Sequence, residues 1–371
     1  MPARLMVADS ERDANMLYAT RMFVPDPFIW FATRGKSYIV MSDLEIDRAR
    51  KEARVDRVLS LSRYQKQLKL AGVKQPRLSD VLNRVLREFR VRSVEVPANF
   101  PIGVARQLRG LRVVVTPDPF FPEREIKTPG EIAGLEDAMR LAEEGMRAAV
   151  NVLRTSRIGR AGVLYYRRKK LTAEDVQGAI NATIAGLGGV ASRTIVACGN
   201  QGCDPHESGY GPLRAHTTII LDIFPRDTRT GYCGDITRTV VRGRASDAVK
   251  KMYAVVGAAQ TVTFRTLRAG VNGQEVHRAI QELFVQEGYK TGQVRGRMQG
   301  FFHGTGHGLG LEVHERPRVG AVSEKLRAGH VVTVEPGLYY RGIGGVRLED
   351  VAVIQRTGMR NLARFPKALE I

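Results

Sequence analysis

Residues 217–241, TTIILDIFPRDTRTGYCGDITRTVV, read as two apolar strands around a turn, with Asp222 and Asp235 flanking it. In a hairpin centred near Thr228–Arg229 the two aspartates face each other. Residues 331–354, VVTVEPGLYYRGIGGVRLEDVAVI, repeat the pattern, and a hairpin centred on Gly342 sets Glu335 opposite Glu349. Opposed residues of an antiparallel pair share a sheet face, with Cβ atoms only ~4.5–5.5 Å apart. Two carboxylates that close on a buried face are costly unless they share a proton or bind cations. Between the pairs lies a glycine-rich run holding His307, FFHGTGHGLGLEVHE at 301–315. Four carboxylates and one imidazole suit a pair of divalent metals. Carboxylate oxygens favour hard cations, and the imidazole widens the choice to manganese, cobalt, iron or zinc. Two such ions ~3.5–4 Å apart polarise a carbonyl and activate water. Taken singly, Asp235 reads equally as a turn carboxylate and Glu349 as an exposed strand end; only the joint arrangement points to metal.

Outward from these hairpins the chain is helical at intervals. Thr128-Pro129-Gly130-Glu131 is a capping box with proline at the first helical position. Ile132, Leu135, Met139, Ala142, Met146, Ala149 and Leu153 then recur at helical spacing. Thr172 with Asp175 opens a second helix, a third runs from about Ser246 to Leu267, and Asn272 with Glu275 caps a fourth that ends at Gly288. Strands are expected at 193–199, 216–224, 231–242, 309–314, 330–340 and 345–355. Helices beside a mainly antiparallel, curved sheet make an α+β domain. The first ~120 residues instead alternate strand and helix, with PFIWFAT and KSYIVMS as strands and Asp43–Ser62 as an arginine-rich helix. Pro117, Pro119 and Pro122 mark a linker, which divides the chain into a smaller α/β domain, 1–122, and a second domain, 123–371.

Composition excludes little. A chain of 371 residues suits about two domains. No run of ~18 apolar residues offers a membrane span. The N-terminus lacks the apolar core of a signal peptide. Cys198, Cys203 and Cys233 have no metal-ligand spacing, so a reducing, cytoplasmic setting is the simplest expectation. The formal charge is +20. Residues 1–120 hold 22 basic and 13 acidic side chains and the remainder 36 and 25, so the excess is spread over the whole chain. The densest spot, Arg167, Arg168, Lys169 and Lys170, reads as a solvated connector between helices. A basic surface attracts anions, but nucleic acid is not the expected partner.

Of the seven histidines, His303, His307 and His314 share the glycine-rich run. Gly304, Gly306, Gly308 and Gly310 let the backbone approach a ligand closely. His303 and His307 fall on one face of an extended run, whereas His307 and His314 fall on opposite faces unless the run bends. GTGHGLG lacks the spacing and the lysine of a phosphate loop. His206 sits in a loop, CDPHESG. His216, His277 and His330 read as structural.

The motifs GYCGDITRT, HGTGHGLGLEVHE, TVEPGLYY and VRLEDVAV, in this order, resemble those of the pita-bread metallopeptidases, which include methionine aminopeptidase, aminopeptidase P, prolidase and creatinase. The resemblance covers 123–371 strongly. It covers the N-terminal domain more weakly, through NMLYAT and KTPGEI, as a creatinase/prolidase-type N-terminal domain. That extra domain and the full ligand set point to the Xaa-Pro-cleaving branch, aminopeptidase P or prolidase. The resemblance implies that Asp222, Asp235, His307, Glu335 and Glu349 hold two divalent ions, Mn2+ first and Zn2+ or Co2+ as alternatives, with Asp235 and Glu349 bridging. It implies that Glu335 shuttles a proton, that His206 and His314 hydrogen-bond the carbonyl and developing oxyanion, and that His303 lines the proline-side pocket. Arg347 and Tyr339 would support the metals and substrate. The implied substrate is a peptide with proline second, and the implied assembly a homodimer without membrane contact. A non-catalytic adaptor binding nucleic acid or protein is the rival reading, and a methionine aminopeptidase-like enzyme a further one. Two departures stand out: Asp222-Ile223-Phe224 replaces Asp-x-Gly, and the following loop is longer and contains Asp227. Arg316 or Arg318, just beyond His314, could meet a dipeptide's carboxylate or equally face solvent.

Overall fold

The computed structural model describes residues 2–371, and the chain divides into two compact units, Met1–Arg124 and Glu125–Ile371. In the first, six strands form one mixed sheet in the order Arg57–Ser60, Lys36–Met41, Phe28–Thr33, Ala3–Ala8, Ser93–Pro97 and Arg112–Thr116. The period of two sends alternate side chains to opposite faces. Leu5, Val7, Ile29 and Phe31 pack with Tyr64, Val81, Leu82 and Val85 of the helices Leu61–Leu70 and Leu78–Glu88. Met6, Phe28, Trp30 and Ile39 pack with Met16, Ile46 and Ala49 of Ala14–Thr20 and Ile46–Glu52. With both faces covered, this unit is α/β.

The arginine-rich helix expected over Asp43–Ser62 is shorter, Ile46–Glu52. Ala53 turns extended, and Arg57–Ser60 instead joins the sheet parallel to Lys36–Met41. Val58 and Leu59 fit a pleated surface better than a solvated helix. Ser60 then caps the next helix by accepting the Arg63 amide at 3.2 Å.

In the second unit the helices Pro129–Thr155 and Ala173–Gly186 both start in capping boxes, Thr128 with Glu131 and Thr172 with Asp175. They approach so closely that a Cβ on Gly145 would sit 2.8 Å from Ile184 Cδ1. Ser246 and Asn272 cap Asp247–Thr266 and Gly273–Gln286; Asn272 uses the Gln274 amide, and Glu275 completes no box. Arg167, Arg168, Lys169 and Lys170 lie exposed in the connector between Pro129–Thr155 and Ala173–Gly186, as expected. There Arg167 and Arg168, both at positive φ, form the turn of a small hairpin, Leu164–Tyr166 with Lys169–Lys170.

The strand pairs among these helices are antiparallel. One sheet orders Ile195–Cys198, Thr218–Ile223 and Ile236–Val241. Another orders Glu315–Val319, Gly306–Gly308, Val331–Val334, Asp350–Ile354 and Met359–Asn361. Residues 309–314, expected as a strand, are a run of bends, and the strand lies at Glu315–Val319. A register shift between His307 and Gly308 sets Gly308 opposite Glu315, so residues 309–314 connect the two strands. Among the described residues no helix is long and apolar enough to cross a membrane.

Candidate metal centre

Within Thr218–Ile223 and Ile236–Val241, Asp222 lies opposite Thr237 and Ile223 opposite Ile236. The expected direct facing of Asp222 and Asp235 is therefore wrong by two residues, and the turn is centred one step later. The loop explains the shift. Arg226 bridges Cys233, and Asp227 closes the turn by accepting the amides of Arg229 and Thr230 at 2.7 and 3.0 Å. Asp227, although buried, is thus committed to its own turn. An even slip preserves the face, so Asp222 and Asp235 are diagonal neighbours.

The second pair keeps its expected register. Gly337 lies opposite Arg347 in the inner ladder and Val334 opposite Asp350 in the outer one, so Glu335 and Glu349 face each other between them. There the strands exchange partners: the Glu335 amide donates to Thr305 O at 2.9 Å and the Glu349 amide to Thr237 O at 3.0 Å. Both glutamates thus sit in a break between two ladders, beside the strand carrying Asp235.

His307 enters from the neighbouring short strand. Its Nδ1 lies 3.2 Å from Gly308 O, a contact that requires Nδ1 to carry the hydrogen. Nε2 is left as a lone pair, 3.3 Å from Glu335 Oε1 and 3.8 Å from Asp235 Oδ2. One ligand atom each from Asp235, His307 and Glu349 lie within 4.8 Å of one another. The bend after His307 brings His314 to its side of the run, with ring centroids 4.4 Å apart. Gly306 and Gly308 serve backbone packing: a Cβ would lie 1.9 Å from Thr333 O and 2.3 Å from Arg316 O, so their neighbours are strands where a ligand was expected.

Burial pushes the Asp235 carboxyl well above its ordinary range, and Glu349, Asp222 and Glu335 add to the effect. Burial, then Glu335 and Asp222, do the same to Glu349. Glu335 is pushed up to about 7, burial outweighing the opposing pull of Arg347. Burial holds His307 neutral.

Arg347 organises the surroundings. Its Nη2 donates to Asp222 Oδ2 at 2.6 Å, Nη1 to Tyr339 Oη at 3.0 Å and to Pro205 O at 3.3 Å, and Nε to Thr237 Oγ1 at 3.3 Å. Thr237 Oγ1 in turn donates to Glu349 Oε2 at 2.6 Å. Tyr339 Oη donates to His303 Nε2 at 2.8 Å, because His303 Nδ1 donates to Gly304 O at 2.8 Å. Burial opposes the guanidinium charge, but Tyr339, Asp222, Glu349 and Glu335 hold it more firmly than usual. One side chain thereby fixes a carboxylate, a phenol and, through them, a histidine.

His206 and His314 are solvent-exposed, and the charge of His206 acts on both His314 and His303. Arg316 is engaged by Glu324 Oε1 at 2.9 and 2.6 Å, whereas the charge of Arg318 acts on His307, His314 and Glu335. Three contributors escaped sequence reasoning. Thr237 and Thr333 each stand two positions from a carboxylate just beyond the end of their strand, Asp235 and Glu335, the spacing that shares a face in extended chain. Thr333 Oγ1 donates to Glu335 Oε1 at 3.3 Å and accepts the His307 amide at 3.0 Å. Lys127 forms a buried ion pair with Glu315, next to His314, at 3.1 Å. No local pattern marks that long-range pair.

The residues present fit a divalent metal. Asp222 Oδ1 is buried with no hydrogen-bond partner, His307 Nε2 offers a lone pair, and the clustered carboxylates repel unless protons or a cation intervene.

Known proteins share this arrangement's sequence and fold. A Bacillus subtilis (strain 168) protein named uncharacterized peptidase YqhT is 35% identical over 252 residues, 67% of this chain and 65% of its own length. An Xaa-Pro dipeptidase of Pyrococcus horikoshii is 28% identical over 287 residues, 75% of each chain. The matched stretch thus spans about two thirds of the first relative's length. Among solved structures, an X-Pro aminopeptidase from Thermotoga maritima MSB8 superposes with a TM-score of 0.81 at 23% identity, covering 100% of this chain and 98% of that one. A prolidase from Pyrococcus furiosus gives 0.79 at 21% identity, covering 99% and 97%. These likenesses carry the pita-bread fold expected from the motifs. Residues 133–356, which hold every carboxylate and histidine of the cluster, match metallopeptidase family M24, and the chain belongs to that family.

Proposed function

We propose that this chain hydrolyses the peptide bond between an N-terminal residue and proline, using two divalent metal ions held by Asp222, Asp235, His307, Glu335 and Glu349. The observation that carries the reading is the convergence of Asp235, His307 and Glu349 within 4.8 Å, flanked by Glu335 and by the unpartnered oxygen of Asp222. Divalent metal, with Mn2+ the first candidate, would supply Lewis-acid polarisation of the scissile carbonyl and activation of water near neutral pH. Glu335, whose carboxylate lies 3.3 Å from His307 Nε2, accepts a proton from the attacking water and delivers it to the leaving imino nitrogen. His206 and His314 donate toward the carbonyl oxygen as charge develops. His303, oriented by Tyr339 and Arg347, lines the proline side. Proline has no N–H and a fixed φ, so a site that grips the carbonyl and the ring needs no amide donor from the substrate.

The same reading takes residues 1–122 as a creatinase/prolidase-type domain preceding a catalytic domain over 123–371, and the protein as a cytoplasmic homodimer. The three free thiols agree with a reducing compartment. Against the adaptor alternative, a pure binding module has no use for carboxylates buried at such electrostatic cost. The test is proline release from Gly-Pro and Gly-Pro-Leu, with Gly-Ala and Gly-Ala-Leu as controls, in added manganese and after chelation. Equal turnover of the alanine peptides, or activity untouched by chelation, would refute it.

A further inference from the structure

Beside the metal centre the second unit holds a cavity of about 560 Å³, a size ordinary for ligand sites. Its lining includes Asp204, Pro205, Glu207, Arg297, Phe302 and Arg341. Two contacts join it to the site. Pro205, directly before His206, accepts from Arg347 Nη1 at 3.3 Å, and the Phe302 ring packs on Tyr339 and His303 with centroids 5.4 and 6.4 Å apart.

The walls are fastened. The Gly342 amide donates to Asn200 Oδ1 at 2.9 Å, tying the Arg341 turn to the loop before His206. Gln201 holds that loop by donating to Tyr210 O at 3.0 Å and accepting the Tyr210 amide at 3.3 Å. Tyr340 Oη donates to Lys290 O at 2.8 Å, just before the hairpin Gly292–Val294 with Arg297–Gln299.

The charges in the cavity are unequally engaged. Asp204 Oδ1 accepts the His206 amide at 3.3 Å and Glu207 Oε1 the Gly209 amide at 3.2 Å, so both carboxylates brace their own loop. Among the described residues neither Arg297 nor Arg341 forms an ion pair. Two uncommitted guanidiniums beside an aromatic wall make a receptor for a carboxylate, which an arginine binds through paired N–H groups.

We propose that this cavity receives the residues that follow proline, and that Arg297 and Arg341 bind the terminal carboxylate of a tripeptide or slightly longer peptide. The inference rests on the Xaa-Pro reading above, in which His303 marks the proline side. It makes the chain an aminopeptidase of short peptides in preference to a strict dipeptidase. A dipeptide ends at proline and leaves the cavity and its arginines unused.

The experiment compares Gly-Pro, Gly-Pro-Leu and Gly-Pro-Leu amide with the metal-loaded full chain and with an Arg297→Ala/Arg341→Ala variant. Both arginines are exposed, so the variant is expected to fold. The expected result is a higher kcat/KM for Gly-Pro-Leu than for Gly-Pro. Amidation should raise KM about tenfold, the scale of one lost charge-assisted pair, and the double variant should abolish that amidation effect. Gly-Pro cleaved as well as or better than Gly-Pro-Leu would overturn the inference while leaving the Xaa-Pro reading intact. An amidation penalty that persists in the double variant would likewise assign the carboxylate elsewhere. Cleavage of alanyl but not prolyl peptides would overturn both together.

Discussion

Arg347 donates to one oxygen of Asp222 at 2.6 Å while the other oxygen of that carboxylate is buried without a hydrogen-bond partner. The guanidinium thus orients Asp222 and leaves its second oxygen for a cation. Arg347→Ala strands a buried carboxylate, which costs about 3–5 kcal/mol, and releases Tyr339 and Thr237. Arg347→Lys keeps the charge but loses the fork, so it should fall between alanine and the parent. Denaturant unfolding of the metal-free proteins measures this, and an alanine variant as stable as the parent would contradict the role.

Glu349→Gln separates stability from metal binding. Burial and the neighbouring Glu335 and Asp222 make the ionised Glu349 unfavourable. A neutral amide removes that repulsion, so the metal-free variant should unfold at higher denaturant than the parent near neutral pH. Bound metal, counted by elemental analysis, should fall sharply. A variant that keeps full metal content would remove Glu349 from the ligand set.

The stability of the metal-free protein should depend on pH in two opposed ways. The Glu335 carboxyl titrates near 7 in the fold against an ordinary 4.5, so the folded state binds more protons between those values. Its contribution is complete below 4.5 and is lost as pH rises through 7. Between about pH 8 and 6.5 this alone adds about 1 kcal/mol on acidification. Below 6.5, His303 and His307, pushed down to about 3 first by burial, act the other way, because only the unfolded imidazoles take protons. Thermal unfolding in chelator should therefore show a melting temperature that rises as pH falls from 8 and levels in the neutral range, where the unfolded imidazoles begin to take protons. A melting temperature that rises steadily from pH 6 to 8 would exclude the raised carboxyls.

Lys127 and Glu315 pair at 3.1 Å with side chains only 2% and 7% exposed. Glu315 also accepts the Glu312 amide at 3.1 Å, so the pair anchors the bent segment leading to His314. Lys127→Met removes the cation of this buried pair and should lower the unfolding midpoint. If the segment positions His314, kcat should fall with it in folded samples at low temperature. Wild-type kcat in a destabilised variant would confine the pair to stability.

Local chemistry made much of this legible. Thr128 and Glu131 marked a helix start because capping involves neighbours in sequence. Glu335 and Glu349 could be paired because a short turn about Gly342 leaves one symmetric register. The Asp222–Asp235 pairing was displaced because a longer loop admits more than one closure, and Asp227 selected it. The strand expected at 309–314 failed because Gly306–Gly308 pairs with Glu315–Val319, which makes 309–314 the connection between them, and that pairing is a tertiary event.

The order of motifs along the chain was enough to specify which residue types would meet: carboxylates paired across hairpins, and an imidazole on a run bare of side chains. What only folding decided was the support around them. Arg347 reaches Asp222, Tyr339, Thr237 and Pro205 from four separate segments. Arg316 is occupied by Glu324 while Arg318 keeps its charge directed at the histidines. Such choices depend on which chain segments burial brings together, and hydrogen bonds between distant segments leave no periodicity in sequence to read.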